Sequence, residues 1–167
     1  INKSIGSFAS LFTIFGKGSL MPPINFYFPY RQFALKSRKE LKLFIGDTFK
    51  AEKKKIASLQ CIFCSDEYLL AINQQHLQHD YYTDIITFNL GTDENIEGEI
   101  YISVERVKDN ARLMHSSFKE ELHRVVFHGI LHLCGYKDKL KSEKEEMRRK
   151  EDRLLHLYFN KNKHRST

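Results

Sequence analysis

Apolar and polar positions follow two rhythms along this chain, a period of two in some stretches and of three to four in others. Ile24, Phe26 and Phe28 alternate with Asn25 and Tyr27, which predicts a strand over 24–28 that Pro29 ends. Ser37 with Glu40 reads as a capping box that opens a helix whose Leu41, Phe44, Ile45 and Thr48 recur on one face. A second strand over 58–64 follows, and Ser65 caps a helix through Leu69, Leu70 and Ile72 to about residue 77. Residues 83–88 and 98–104, joined by a loop over 91–95, predict the two strands of a hairpin. Helices are expected over 105–115 and from Ser117 to Gly135. A last amphipathic helix, capped by Ser142 with Glu145, runs through Met147, Leu154 and Leu155. Helices alternating with four strands predict an α+β fold, a small four-stranded mixed sheet packed by helices in a single domain.

The helix after Ser117 departs from a simple amphipathic pattern. Ser117 with Glu120 makes a third capping box, and Gly135 supplies the left-handed residue that stops the helix. At about 100° per residue, Leu122, Val126, Ile130 and Leu133 fall on one side, and Phe127 and Leu131 add apolar surface on another. Such a helix is expected to be buried. Glu121, Arg124, His128 and His132 share the narrow polar stripe that remains, odd company for a buried helix unless something there needs them. A divalent metal would. Histidines four apart present two imidazole nitrogens to one point, and zinc binds such nitrogens at roughly 2.0–2.1 Å. Gly135 can reverse the backbone, so that Asp138 could swing a carboxylate toward the open side of the pair. Three protein ligands leave a position for water, the arrangement of a catalytic zinc site. A bare pair of histidines at this spacing is more often a set of hydrogen-bonded core or surface groups; the buried setting, the glycine turn and the acid beyond it shift the balance toward a metal.

These residues carry a resemblance. His128-Gly129-Ile130-Leu131-His132-Leu133-Cys134-Gly135-Tyr136 resembles the signature H-G-x-L-H-L-x-G-Y-D-H of the YbeY family, metal-dependent endoribonucleases of rRNA maturation. Thr83-Asp84-Ile85-Ile86-Thr87-Phe88 resembles the family's T-D-V-L-S-F segment, and Gly98-Glu99-Ile100-Tyr101-Ile102-Ser103 its G-D-I-x-I-x pattern. The resemblance covers roughly residues 21–158. It implies an α+β fold, a zinc-type site of His128, His132 and Asp138, and single-strand-specific cleavage in 16S rRNA processing and in ribosome assembly or quality control. Single-stranded RNA, rRNA and the small ribosomal subunit are the implied partners. The third ligand of the family signature is a histidine, and Asp138 stands in its place. Oxygen for nitrogen hardens the site and adds negative charge, which lowers the Lewis acidity left to a bound metal. A family arginine associated with phosphate contact or catalysis falls at Leu77, so no catalytic side chain is carried over from it.

Two other function classes compete. In one, the metal is a structural clip and the protein a non-catalytic ribosome-assembly factor. In the other, paired histidines mean a metalloprotease, but that motif places Glu directly after the first histidine as general base, and Gly129 stands there. Glu121 lies about two turns earlier, too far along the axis to substitute unaided.

Composition adds bounds. A chain of 167 residues with 41% hydrophobic and 13% aromatic content suits one domain with a proper core. Three cysteines give no disulfide framework, so a reducing cytoplasm is the expected compartment; Cys61 and Cys64, three apart in one strand, point to opposite faces and read as structural. No apolar run reaches the roughly 18 residues of a membrane span. The net charge of +6 suggests nucleic acid, yet Lys3, Lys17, Lys161, Lys163 and Arg165 supply five of those charges from the two ends, leaving +1 over 21–159. Basic clusters at Lys36, Arg38, Lys39 and Lys42 and at Lys50, Lys53, Lys54 and Lys55 could contact phosphate or serve as solvated helix faces. Residues 1–20, which precede Met21 as a candidate start, read as an extension outside the fold. Residues 21–159 form the ribonuclease-like domain, and 160–167 a basic tail. Deletion of residues 1–20 is therefore expected to leave the thermal midpoint unchanged; a fall of several degrees would mean that the segment packs on the core.

Overall fold

Strand β2 (Lys55–Cys64) is the spine of the sheet, pairing parallel with β1 (Ile24–Tyr27) on one side and with β4 (Asn95–Ser103) on the other. β3 (Ile85–Asn89) closes the far edge antiparallel to β4, so the order is β1-β2-β4-β3 in a mixed four-stranded sheet. This computed structural model describes residues 23–78 and 80–163. Helices α1 (Arg38–Ala51), α2 (Asp66–Leu77), α3 (Val104–Leu113), α4 (Phe118–Leu133) and α5 (Lys141–Lys163) complete the expected α+β domain. The expectations for residues 1–20, and for the tail beyond Lys163, lie outside the described residues. α5 itself continues through Lys163, the first part of the basic tail.

The main core lies on one face of the sheet. Leu59, Cys61, Phe63, Ile100 and Ile102 meet Leu41, Phe44, Ile45 and Phe49 of α1 and Leu122, Val126, Phe127 and Ile130 of α4. The opposite face is covered by α2, whose Leu69 and Ile72 pack on Ile62, Cys64, Ile86 and Tyr101. Cys61 and Cys64 therefore belong to different cores, as strand alternation requires, and burial pushes both thiols up to about 12. α4 rides close to the sheet because two glycines leave room. A Cβ on Gly98 would come within 2.6 Å of Leu133, and one on Gly129 within 2.8 Å of Ile85 and 3.0 Å of Ile100.

Three local expectations are corrected. Ser37 has a left-handed backbone (φ 52°) and makes no side-chain cap, so the Ser37–Glu40 box does not form; its carbonyl accepts from Leu41 N at 3.0 Å instead. α5 starts at Lys141, ahead of the Ser142–Glu145 pair, and its entry is held by Glu143, which accepts from the backbone N–H groups of Lys139 (3.0 Å) and Leu140 (2.9 Å). β2 begins three residues earlier than residue 58, with a register shift between Ile56 and Ser58 that breaks the alternation there. Ser65 and Ser117 do cap as expected, accepting from Tyr68 N and Glu120 N. Among the described residues, no helix is long and apolar enough to cross a membrane.

His123 sits in the core at 4% exposure, stacked on Tyr158 with ring centroids 4.7 Å apart. Its Nδ1 donates to the Lys119 carbonyl at 2.6 Å, while Nε2 finds no partner among the described residues. Burial pushes its pKa down from 6.5 to about 4, a shift that the Lys119 carbonyl only partly opposes. Between those values the unfolded chain binds a proton that the folded chain refuses. The stability this group contributes is therefore present above pH 6.5 and lost as pH falls toward 4, by on the order of 3 kcal/mol. In denaturant titrations the parent protein should lose about that much more than His123→Phe between neutral pH and about pH 4. Equal losses would show that His123 does not titrate in this way.

Candidate metal centre

Local sequence sets the stage for the site. The Ser117 cap starts α4, and its apolar faces bury Leu122, Val126, Phe127, Ile130 and Leu131 at 3% exposure or less. The polar stripe therefore has to run along the remaining edge of the helix. At the other end Gly135 takes φ +101°, Gly135 N bonds His132 O at 2.9 Å and Tyr136 N bonds Leu131 O at 3.0 Å, a Schellman stop that turns the chain back over its own last turn. Asp138 follows on that return. Glu143 fixes the backbone just beyond it, and the Tyr136 hydroxyl donates to Glu52 at 2.7 Å while Lys150 lies over its ring and donates to the same carboxylate at 2.8 Å. Although burial works against ionisation of Glu52, these two hydrogen bonds outweigh it and hold its pKa low.

The three residues singled out from the sequence come together. The Nε2 atoms of His128 and His132 are 2.9 Å apart, and Asp138 Oδ2 is 3.7 Å from each. Among the described residues this is the one set of three His, Cys, Asp or Glu donors, all within 4.8 Å of one another, that could hold a metal ion. Bonds of about 2.0–2.1 Å at tetrahedral angles put donors roughly 3.3 Å apart, and the observed separations bracket that figure. The rings are partly open to solvent, and the Asp138 side chain is 42% exposed, so the site has an accessible side.

The outward nitrogens test whether a cation fits. His132 Nδ1 lies 2.9 Å from the Tyr136 carbonyl, which can only accept, so Nδ1 carries the proton. His128 Nδ1 lies 2.8 Å from Glu151 Oε1, a carboxylate buried at 5% exposure, and donates to it likewise. When both rings are neutral, they present Nε2 lone pairs to each other and to an anionic oxygen. Lone pairs so close repel unless a proton or a cation lies between them, and two imidazoles with one carboxylate suit a borderline divalent ion. The two rings differ in basicity. Burial disfavours the charge on His128, but the hydrogen bond and charge of Glu151 outweigh it and raise its pKa; His132 is lowered by burial and by its neighbour His128.

Glu121, the earlier acid of the stripe, pairs with Arg124 at 3.6 Å, and burial raises its pKa against that guanidinium. Gly129 stands where a protease would carry its glutamate because the helix touches Ile85 and Ile100 there. The backbone of Leu77 ends α2, and its side chain lies outside the described residues. Sequence reasoning missed Glu151, Tyr136 and Glu143 as supports. Glu151 had a signal: Met147, Glu151, Leu155 and Tyr158 form the buried stripe of α5, and one of the four is charged.

Comparison with known proteins bears on the same residues. The family model for Endoribonuclease YbeY matches residues 31–158. A protein named Endoribonuclease YbeY from Cytophaga hutchinsonii is 55% identical over 135 residues, 80% of this chain and 94% of that protein. One of the same name from Christiangramia forsetii is 46% identical over 135 residues, 81% of this chain and 94% of that protein. The solution structure of TM1509 from Thermotoga maritima is 29% identical with a TM-score of 0.57, covering 87% of this chain and 93% of that one. The matched span contains every group of the site, from Glu52 to Glu151.

Proposed function

Since the chain belongs to the YbeY family of endoribonucleases, we propose that it cuts single-stranded RNA at a divalent metal, zinc by preference, held by His128, His132 and Asp138. The observation that carries the reading is the pair of Nε2 atoms 2.9 Å apart, each ring held by an outward hydrogen bond at its own Nδ1, with a carboxylate oxygen beside them. The metal, when bound, supplies Lewis acidity toward the phosphodiester and lowers the cost of deprotonating the attacking oxygen. The chain's own groups orient and limit that chemistry. Glu151 and the Tyr136 carbonyl hold the two rings, the return after Gly135 presents Asp138 at the solvent side, and the apolar faces of α4 keep water from the opposite side. A single strand can turn its backbone toward an edge of this kind more readily than a stiff duplex can.

Membership in the family supports a reading of substrate and setting. We assign the RNA to rRNA, with 16S rRNA processing and assembly or quality control of the small ribosomal subunit as the context, and the cytoplasm as the compartment; the three free, buried cysteines agree with a reducing one. A second reading, an assembly factor whose metal only clips the fold, is favoured by one observation: the groups that hold the rings also tie α1, the Gly135 turn and α5 together.

Asp138→His is expected to tighten zinc binding, because a nitrogen donor replaces a harder oxygen; competition with a chelator measures it, and weaker retention than the parent contradicts the assignment. His132→Ala should lower cleavage of single-stranded RNA by more than about 100-fold, beyond the cost of losing an outer partner, and leave RNA binding within a few-fold. Circular dichroism and melting must first show the variant folded. If the folded, metal-free variant cuts as fast as the parent, the clip reading takes over.

A further inference from the structure

The polar stripe of α4 carries more than the two histidines, and the metal reading leaves Arg124 without a task. Arg124 is nearly enclosed by carboxylates: its guanidinium lies 2.6 Å from Asp152, 3.5 Å from Glu151 and 3.6 Å from Glu121. Glu151 arrives from α5, where Met147, Leu155 and Tyr158 share its buried stripe. An apolar residue would serve the packing of α5 on α4 at that point. A buried carboxylate is costly unless each oxygen is matched, and here each is. Oε1 accepts from His128 Nδ1 at 2.8 Å, while Oε2 faces Arg124 at 3.5 Å and Arg148 at 3.7 Å. The two oxygens are thus divided between one imidazole and two guanidinium groups, and rotation of the carboxylate would break both sets of contacts.

We propose that Glu151 is the positioning residue of the site: it fixes His128 in the Nδ1–H tautomer with Nε2 turned toward His132 and Asp138, and Arg124, with Arg148, aims it. The inference rests on the proposed metal reading and extends it to residues that do not touch the metal. A carboxylate on the far nitrogen also makes the near nitrogen a better donor, and outer partners of this kind typically contribute 10–100-fold to metal affinity. The arrangement is asymmetric. His132 leans on the backbone carbonyl of Tyr136, which mutation cannot remove, whereas the support of His128 is a side chain. Because that side chain belongs to α5, the packing of α5 on α4 also places the support of the first ligand.

The test uses the full chain, with Glu151→Gln and Glu151→Ala beside the parent and His132→Ala. Glu151→Gln keeps the shape and one acceptor oxygen but loses the charge, and it decides the matter if Glu151→Ala fails to fold. Two readouts apply. Nitrogen-15 shifts of the His128 ring in metal-free protein, followed to a pH at which the ring is neutral, report its tautomer, and zinc affinity is measured by chelator competition. Expected are a parent ring protonated on Nδ1, a mixed tautomer in Glu151→Ala, zinc affinity lower by roughly 10–100-fold in Glu151→Ala, and a smaller loss in Glu151→Gln. A purely structural role would lower the melting temperature of the variants and leave both readouts unmoved, and that result overturns the proposal. The control separates the two levels. If His132→Ala loses zinc while the folded Glu151 variants keep the parent's affinity and tautomer, this inference fails alone; if His132→Ala keeps zinc, the metal reading fails and takes the inference with it.

Discussion

Two hydrogen bonds that point away from the site decide what its inward-facing atoms can do. His128 donates from Nδ1 to Glu151 and His132 donates from Nδ1 to the Tyr136 carbonyl, and each bond commits the proton of its ring to the outside. What remains is a cleft between Nε2 atoms 2.9 Å apart, bordered by the Asp138 carboxylate. Without those bonds each ring could turn, share a proton with its neighbour and become an ordinary surface pair. With them, the chain holds an electron-rich point that a cation suits.

Much of the surrounding fold can be understood as what those two bonds require. The Tyr136 carbonyl reaches His132 because Gly135 adopts a left-handed backbone and folds the chain over the last turn of α4. Tyr136 is itself held by Glu52 at the end of α1 and by Lys150 on α5. Glu151 reaches His128 because α5 packs along α4 through Met147, Leu155 and Tyr158. α4 can be both the buried helix of the core and the bearer of a polar edge because Gly98 and Gly129 let it settle close on the sheet. The same closeness excludes a long side chain after His128, which separates this site from the protease arrangement of paired histidines.

How far this could be read from the sequence depended on how local each cause was. α4, its Ser117 cap, the Gly135 stop and the convergence of His128, His132 and Asp138 are set within about twenty consecutive residues, and spacing together with the family resemblance exposed them. The opposite placement of Cys61 and Cys64 followed equally from strand alternation. Glu151 was hidden because its partner is 23 residues away on another helix, and only the charged position in an otherwise apolar stripe marked it. The serine caps at Ser37 and Ser142 failed for a related reason. A capping box is a local preference of a fraction to about two kcal/mol, and a left-handed turn at Ser37 and the longer reach of Glu143 outweighed it. Net charge was the least informative quantity, since five units of the net +6 come from the two ends.

The proposed centre places one divalent ion between His128, His132 and Asp138. Anomalous scattering at the zinc absorption edge, from crystals of the full chain grown with one equivalent of zinc, tests position and identity together. A single strong anomalous peak is expected within about 2.3 Å of both Nε2 atoms and of an Asp138 oxygen. A folded protein whose anomalous density lies elsewhere, with the two rings turned so that Nε2 atoms no longer face each other, would contradict it.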